Sequence, residues 1–168
     1  MTAKLTRFLQ MFSWLLLLQC LLVPAALAEL QKVDKLKAAY MYNFTKFITW
    51  HKENAVPISF CIHNDQELMT FLKALVESRE PNSKSLLVLD SVDAQSCDIL
   101  YLTESDDLLE QHLRHSVIIS DINNVLALPV VFRFYEENQK LRFEIDVAEA
   151  ERLNVKISAK LLRVARIK

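Results

Sequence analysis

The 168-residue chain contains no glycine, although average usage of about 7% would place about a dozen glycines in a chain of this length. Glycine adopts positive φ more readily than any other residue, so every turn that needs this conformation must use a different residue. Asn and Asp tolerate it best among the others, and we predict turns that contain them. The absence also excludes glycine-rich phosphate loops, dinucleotide-binding fingerprints and nucleophile elbows.

Residues 1–28 have the pattern of a secretory signal peptide. Two basic residues precede an apolar run at residues 12–23, and the stretch ends in Ala-Leu-Ala at Ala28. We predict cleavage between Ala28 and Glu29, which leaves an exported domain over residues 29–168. The alternative is an uncleaved membrane anchor.

The chain after the predicted cleavage site is acidic and keeps two cysteines. The full chain has 20 basic and 21 acidic residues, and the signal peptide contains two of the basic residues and none of the acidic ones. The net charge after cleavage is therefore 18 − 21 = −3. This balance implies neither a nucleic-acid partner nor an anionic membrane surface. In an exported protein, the pair Cys61 and Cys97 predicts a disulfide; the alternative is two buried free thiols.

Strand-like and helix-like patterns alternate through the middle of the chain. The predicted elements are strands at 58–62, 86–89, 98–102 and 116–120, a helix at 66–77 capped by Asp65, and a helix that begins at Thr103 or Ser105. This alternation is typical of a parallel α/β sheet with right-handed crossovers. The wholly apolar run Leu86–Leu89 predicts an interior strand.

An amphipathic helix is predicted before this region, over residues 34–50. Its apolar stripe is formed by Val33, Leu36, Tyr40, Phe44 and Phe47. The predicted polar face includes Ala38, Thr45 and, among them, Tyr42. We interpret Tyr42 either as an ordinary surface tyrosine or as a contact to a partner.

Two strands separated by a few polar residues, Val130–Tyr135 and Leu141–Val147, predict a hairpin. One register places Arg133 opposite Glu144. Shifting the turn back by one residue opposes Arg133 to Arg142, and like charges in a cross-strand pair destabilise a sheet. The first register is therefore predicted. It turns at Asn138-Gln139 and pairs Glu137 with Lys140, Phe134 with Phe143, and Phe132 with Ile145.

The last residues of the chain change from a strand period to a helical one. One side of the predicted helix carries Ile157, Leu161, Val164 and Lys168. Ser158 stands at the expected N-cap, and Arg163 and Arg166 point away from the apolar side. The sequence thus predicts a single α/β domain. It has a mixed central sheet of about five to six strands flanked by helices, with a C-terminal β-hairpin and a terminal helix.

No motif in the sequence predicts catalysis. His112 and His115 could place two imidazoles on neighbouring helical turns, but no cysteine or acidic cluster at ligand spacing completes a metal site. No motif of serine, histidine and aspartate marks a hydrolase. The chain is predicted to be a binding protein, not an enzyme, and to use no cofactor.

Four separated motifs together carry a family resemblance. They are residues 37–47 (Lys-Ala-Ala-Tyr-Met-Tyr-Asn-Phe-Thr-Lys-Phe), Phe60-Cys61-Ile62, residues 97–102 (Cys-Asp-Ile-Leu-Tyr-Leu), and a C-terminal hallmark at 141–145 and 157–166. In this order they resemble the YfiR family of periplasmic regulators over nearly the whole mature chain. The sequence departs from the family at residues 123–129, where the family usually has a Gly-Gly pair.

The resemblance implies a periplasmic protein that regulates without catalysis. A family member of this kind would bind the periplasmic part of an inner-membrane diguanylate cyclase and hold it inactive, which lowers cyclic di-GMP and biofilm formation. The resemblance also implies a homodimer, a redox-sensitive disulfide, and an outer-membrane lipoprotein that can draw the repressor away. The second hypothesis is a periplasmic small-ligand-binding module that serves another membrane sensor.

For the partner surface, the sequence singles out Tyr42, Arg163 and Arg166. None of the three belongs to a predicted apolar stripe, so folding alone does not obviously require them. Tyr and Arg are also among the residue types most enriched at binding hot spots. We predict that the outward side of the two terminal helices binds the partner; the alternative is a solvated, basic helix end.

Overall fold

Helices and strands are described for residues 23–50, 57–81, 85–90, 97–103, 114–121 and 129–168 of a computed structural model, with side chains from Leu30 onward. The chain forms two units, residues 1–34 and residues 35–168. The described elements are α1 (Val23–Phe47), β1 (Ile48–Thr49), β2 (Ile58–Ile62), α2 (Gln66–Arg79), β3 (Leu86–Asp90), β4 (Ile99–Leu102), β5 (Val117–Ser120), β6 (Val130–Glu137), β7 (Lys140–Ile145), α3 (Val147–Arg152), β8 (Lys156–Ile157), α4 (Ala159–Leu162) and β9 (Arg166–Ile167).

Seven of the strands form one mixed sheet in the order β3-β2-β4-β5-β6-β7-β9. Neighbours from β3 to β6 are parallel, β7 is antiparallel to β6, and β9 is parallel to β7. A separate two-stranded sheet pairs β1 with β8. The mixed sheet and its flanking helices confirm the predicted α/β class, with one strand more than the upper predicted number.

The two faces of the large sheet bury two different clusters. Phe60 and Ile62 belong to a large core that α1 and α2 cover, whereas Cys61, between them on β2, belongs to a smaller cluster on the opposite face. The large core has an aromatic centre, where the rings of Phe44 and Phe132 stack with their centroids 4.4 Å apart. The amphipathic helices thus pack on one face because their apolar sides need a large apolar surface.

The buried side of α1 is rotated about the helix axis relative to the prediction. Ala38 and Met41 are almost fully buried together with Phe44, whereas Leu36 is 42% exposed. The prediction is therefore correct for Phe44 and wrong for Leu36 and Ala38, because a small side chain such as that of Ala38 lets a helix approach a sheet closely. Thr45 is also buried, and its hydroxyl donates to a backbone carbonyl one turn earlier, at 2.7 Å.

The predicted hairpin register is confirmed. Arg133 lies opposite Glu144, and Phe134 lies opposite Phe143. β7 ends at Ile145, earlier than predicted, because the side chain of Asp146 accepts a hydrogen bond from the backbone N–H of Glu149 at 3.0 Å. Asp146 thereby caps helix α3, which the sequence reading did not predict.

Asparagine supplies most of the positive-φ turns in the described ranges. Asn64, Asn138 and Asn154 have φ between 52° and 55°, and Gln139 has φ of 59°. The expectation for a chain without glycine is thus confirmed for asparagine. Aspartate has another role here, since Asp65 accepts a hydrogen bond from an N–H in the first turn of α2 and caps that helix.

Among the described strands, β3 lies at one edge of the sheet and not in its interior. Leu86 is buried, but Leu87 is 42% exposed, and Val88 and Leu89 are half-buried. The prediction of an interior strand is therefore wrong. An apolar run indicates that both faces of a strand have apolar neighbours, but it does not fix how many strands flank it.

The predicted terminal helix is reduced to the single turn α4. Leu161 is buried, as its place on the apolar side predicts, but Val164 is 67% exposed. Ser158 occupies the N-cap position, although its side chain forms no capping hydrogen bond. The residues on both sides of α4 are extended because β8 pairs with β1 and β9 pairs with β7. Strand pairing overrides the helical period of the sequence.

Several sequence predictions lie outside the described residues. They are the signal peptide up to residue 22, the helix predicted from Thr103 or Ser105 with His112, and residues 123–128 of the loop without glycine. Within the described ranges, no helix combines the length and the apolar character that crossing a membrane requires.

Candidate functional site

The last six residues form an exposed surface that we call the C-terminal patch, defined by Arg163, Val164, Arg166 and Ile167. Val164 is 67% exposed and Ile167 is 51% exposed, and both arginines are exposed. Large exposed apolar side chains between arginines are a composition found at protein interfaces. The patch contains two of the three residues that the sequence singles out for partner binding.

Arg166 in this patch is held by contacts within the sheet. Its Nε donates to a carboxylate oxygen of Glu144 at 2.9 Å, and its guanidinium lies over the ring of Tyr135, 3.9 Å from the centroid. The other oxygen of Glu144 lies 3.3 Å from Nε of Arg133. The hydrogen bond to Glu144 raises the pKa of Arg166. Arg166 is therefore presented in a fixed orientation, with less side-chain entropy to lose on binding.

A second ion pair fixes the end of the chain. Lys168 Nζ lies 3.1 Å from a carboxylate oxygen of Asp146, the residue that caps α3. Burial acts to raise the pKa of Asp146, but the backbone hydrogen bond from Glu149 and the contact with Lys168 outweigh it and lower the pKa. The C-terminal patch is thus bounded by residues that tie the chain end to β7 and α3.

Tyr42 belongs to another group of polar side chains, which we call the Glu80 cluster: Tyr42, Lys46, Glu80 and Ser85. The Tyr42 hydroxyl donates to one oxygen of Glu80 at 2.9 Å, and Ser85 donates to the other at 2.6 Å. Lys46 forms an ion pair with Glu80 and lies over the Tyr42 ring. The cluster connects α1 to the end of α2 and to the residue before β3.

Glu80 stays ionised across the physiological range because of these donors. The hydrogen bond from Lys46, with those from Ser85 and Tyr42, lowers the pKa of Glu80 to about 2. Burial and the hydrogen bond to Glu80 raise the pKa of Tyr42, which keeps its hydroxyl protonated as a donor. Tyr42 therefore has a structural partner that its polar position in the sequence did not reveal.

The structure does not bring Tyr42 and the C-terminal patch together. Tyr42 reaches Glu80 and Ser85 beside edge strand β3, whereas Arg166 is in the opposite edge strand β9. Five strands lie between these edges, so at a spacing of about 4.8 Å the edges are about 29 Å apart. The three residues could therefore serve one partner only if it spans the sheet.

The structure contains the Cys61–Cys97 disulfide, with Cα atoms 5.8 Å apart. Hydrogen bonds between polar groups stabilise the chain around this disulfide. Asp98 accepts hydrogen bonds from the backbone N–H and the hydroxyl of Ser59, both at 2.8 Å. The buried hydroxyl of Ser116 donates to the carbonyl of Cys97 at 2.6 Å. The bridge thus joins β2 to the residues that lead into β4 and β5, and it lies below the surface.

A buried polar group links α1 to the carboxyl ends of β4 and β5. Lys37 Nζ lies 2.7 Å from a carboxylate oxygen of Asp121, and the hydroxyl of Tyr101 donates to the same oxygen at 3.1 Å. The side chain of Lys37 is 13% exposed. A charge at this depth is stabilised by its partner, so the group serves to orient α1 on the sheet.

Nothing in the described ranges assembles a metal site from three or more histidine, cysteine or acidic side chains. His115 lies exposed in a turn before β5, and its predicted companion His112 is outside the described residues. The pairing of two imidazoles thus stays untested. In the Glu80 cluster and in the Lys37–Asp121 pair, each charged group has a partner of opposite charge. Such pairs suit structural and binding roles.

Sequence reasoning missed the roles of Glu80 and, in part, of Glu144. Glu80 precedes a proline in a predicted turn, and no local pattern indicates that Tyr42 and Lys46 of a distant helix reach it. Glu144 was correctly paired with Arg133, but its contact with Arg166 depends on β9, which the sequence reading took for helix. Predicting either contact requires knowing which helices and strands pack against each other.

Comparison with known protein families gives a match over most of the chain. A family model described as YfiR/HmsC-like matches residues 34–166. The matched region contains Cys61 and Cys97, the Glu80 cluster, and every described strand except for Ile167, the last residue of β9. The family is periplasmic and regulatory rather than catalytic. No protein of curated function matches the chain.

Proposed function

The chain belongs to the YfiR/HmsC-like family, and we propose that it binds the periplasmic part of an inner-membrane diguanylate cyclase and represses it. Repression lowers cyclic di-GMP and, with it, biofilm formation. The observation that carries the proposal is the family match over residues 34–166, which covers nearly all of the sheet. The chain acts by binding alone, with no catalytic residue and no cofactor.

We propose that the protein reaches the periplasm through a signal peptide at residues 1–28. Cleavage after Ala28 removes the first six residues of α1 and leaves its other 19 residues in the exported chain. The Cys61–Cys97 disulfide supports this location, since disulfides form and persist in oxidising compartments such as the periplasm.

The C-terminal patch is the best candidate for the cyclase contact. Val164 and Ile167 offer exposed apolar area, and Arg166 is oriented in advance by Glu144 and Tyr135. Arginine is enriched among the few residues that supply most of the affinity of an interface. Arg163 adds a second positive charge, which suits an acidic region on the partner.

Tyr42 stays a proposed partner residue, at a second surface. It is half-buried and bonded to Glu80, so replacing it also disturbs the fold. An outer-membrane lipoprotein that draws the repressor away could use this separate surface. Such a partner could then bind without first displacing the cyclase from the C-terminal patch.

Copurification from membranes tests the proposal. The tagged chain, expressed from its own signal sequence, is expected to retain a diguanylate cyclase from detergent-solubilised inner membranes. Replacing both Arg163→Glu and Val164→Asp should weaken this retention by more than about tenfold. Lys73→Glu, a charge reversal at an exposed position of α2, is the matched control and should bind as the parent does. Retention of no cyclase, or equal retention by the patch variant, contradicts the assignment.

A small-ligand-binding module is the second candidate. Trp50 Nε1 and Ser158 Oγ are buried near the β1–β8 sheet without a hydrogen-bond partner in the described part of the chain. A polar ligand could satisfy such groups. Native mass spectrometry of the purified chain distinguishes the candidates. A retained small molecule, lost on Trp50→Phe, supports the ligand module, and the mass of the bare chain supports protein binding alone.

A further inference from the structure

Three arginines surround one tyrosine on the face of β6, β7 and β9 that points away from α1. Phe134 and Phe143 of these strands are buried in the large core, so the residues next to them in sequence point to the other face. We call this surface the arginine face, and it contains, from β6 to β9, Arg133, Tyr135, Arg142, Glu144 and Arg166. It thus combines basic side chains with an aromatic ring at the end of the sheet that carries the C-terminal patch.

Within the described ranges, Arg142 is the arginine of this face that forms no ion pair. Arg133 and Arg166 both lie within ion-pair distance of one carboxylate, that of Glu144, at 3.3 Å and 2.5 Å. Arg142 is exposed and lies opposite Tyr135 in the hairpin, where its neighbour supplies no negative charge. One carboxylate therefore serves two arginines, and the positive charge of the third is left to solvent or to a partner.

Arg142 and Arg166 flank the same ring. The guanidinium of Arg166 lies 3.9 Å from the centroid of Tyr135, and Arg142 is the cross-strand neighbour of Tyr135, a relation that brings Cβ atoms to about 5 Å. Nε and Nη2 of Arg166 both donate to Glu144, at 2.9 Å and 2.5 Å, and its Nη1 forms no hydrogen bond in the described part of the chain. Each of the two arginines thus has N–H donors left beside Tyr135.

We propose that the arginine face binds a carboxylate of an acidic segment of the protein partner, between Arg142 and Arg166. The inference rests on the proposed function, because it names the chemistry that the partner presents beside the C-terminal patch. Guanidinium N–H groups match carboxylate oxygens in pairs, which makes such contacts short and strong. Arg166 is already oriented by Glu144 and Tyr135, so it loses little side-chain entropy on binding. The partner's carboxylate neutralises the charge of Arg142.

The charge pattern favours a discrete carboxylate over an anionic membrane surface. Glu137 follows Tyr135 by two residues in β6, so it lies on the same face, and it is exposed. A layer of lipid phosphates would approach Glu137 and Glu144 together with the arginines, and the exported chain has a net charge of −3. A single acidic side chain requires only the space between two arginines. A protein segment is therefore the better fit to this face.

Fluorescence anisotropy with labelled hexaglutamate tests the site without any cyclase. At low ionic strength, Arg142→Gln should raise the dissociation constant for this peptide at least about fivefold, because it removes the arginine whose charge is not paired within the chain. Arg142→Lys should recover only part of the loss, since an ammonium group lacks the planar fork of a guanidinium. Arg79→Gln, at an exposed arginine in the last turn of α2, is the matched control and should bind as the parent does.

Three results of this measurement overturn the inference. They are a parent chain that does not bind hexaglutamate, an Arg142→Gln variant that binds as tightly as the parent, and an equal loss for Arg79→Gln. Glu137→Gln supplies a test of opposite sign. It removes a negative charge from the arginine face, so it should tighten binding of the peptide, and weaker binding would contradict the proposal.

Vesicles of phosphatidylglycerol distinguish a protein carboxylate from lipid phosphate. The parent chain should stay in the supernatant when the vesicles are sedimented at physiological salt. Sedimentation with the vesicles that is lost on Arg142→Gln would overturn the assignment to an acidic protein segment.

Copurification from membranes separates this inference from the proposed function. Arg142→Glu should retain at least about tenfold less cyclase than the parent, and far-ultraviolet circular dichroism should show the parent fold. If the parent and Arg142→Glu retain the cyclase equally, the carboxylate site is wrong and the proposed function stands. If the parent retains no cyclase, the proposed function fails, and the hexaglutamate measurement alone decides whether the arginine face recognises carboxylates.

Discussion

The two edges of the sheet are built differently. One edge is β3, five residues long, with an apolar middle and a 42% exposed Leu87. The other is β9, two residues long, with Arg166 tied to Glu144 and followed by Lys168. Short length and charge are the features that keep an edge from pairing with other strands. The comparison indicates that the short, charged strand β9 is protected against strand addition, whereas the apolar middle of β3 has neither feature.

The contacts that stabilise the two regions also differ in kind. Near β3, the disulfide joins β2 to Cys97, which precedes β4, and the Glu80 cluster connects α1 to the end of α2. Near β9, the carboxylate of Glu144 lies between the guanidinium groups of Arg133 and Arg166. A covalent bridge constrains the unfolded chain, while ion pairs that solvent partly screens contribute little each. We therefore expect substitutions near β3 to have larger effects on stability than those near β9.

The largest effect is expected from the disulfide. Replacing Cys61 and Cys97 together by serine should lower the free energy of unfolding by about 2–4 kcal/mol, because the bridge closes a long loop in the unfolded chain. Urea denaturation measures the change. Intact mass before and after reduction shows whether the bridge is present, and whether the exported chain begins at Glu29. If the double serine variant lost less than about 0.5 kcal/mol of unfolding free energy, the disulfide would not make the region near β3 more stable than the region near β9.

The Glu80 cluster is expected to give the next largest effect. Because its carboxyl has a folded-state pKa of about 2, below the ordinary 4.5, the stabilisation is present above about pH 4.5 and is lost as pH falls toward 2. Glu80→Gln should lower the free energy of unfolding at pH 7 by about 1–2 kcal/mol, since Lys46 is partly exposed and solvent screens the pair.

The same variant should flatten the pH dependence of unfolding between pH 2 and pH 4.5. Glu77→Gln, at an exposed position of the same helix, is the control and should change neither quantity. Thermal unfolding at several pH values makes the comparison. If Glu80→Gln and Glu77→Gln lose the same amount of stability as pH falls from 4.5 to 2, the Glu80 cluster does not stabilise the contact between α1 and the residues before β3.

The smallest effect is expected near β9. A double-mutant cycle with Arg133→Gln and Glu144→Gln should give a coupling energy of about 0.2–1 kcal/mol, as opposite charges in a cross-strand pair do. A second cycle with Arg166→Gln and Glu144→Gln should fall in the same range. A coupling energy larger than the loss of about 1–2 kcal/mol expected for Glu80→Gln would reverse the order of the two regions.

The sequence was most informative where a pattern is local. Register in the hairpin follows from facing charges, and the opposition of Arg133 to Glu144 is observed as predicted. The absence of glycine correctly indicated asparagine at positive φ, as in Asn64 and Asn138. These features depend on residues close in the chain, so their physical causes are visible in the sequence.

The sequence was misleading where the outcome depends on what packs nearby. The apolar run Leu86–Leu89 gives no information about its place in the sheet, and it forms an edge. Helical spacing after Ser158 suggested a long helix, but pairing of β9 with β7 ends it after one turn. Tyr42 looked unneeded for folding because Glu80, its partner, is 38 residues away. These outcomes depend on tertiary contacts, and the periodic spacing of apolar residues along the sequence gives no information about such contacts.

Cellular cyclic di-GMP tests the account's central claim most directly, namely that the chain represses a cyclase through the surface near β9. Deleting the gene should raise the cyclic di-GMP concentration, and the parent chain supplied in trans should restore the low level. The variant with Arg163→Glu and Val164→Asp, exported and folded to the same extent, should leave the concentration high. An unchanged concentration on deletion, or full repression by the variant, would contradict the account.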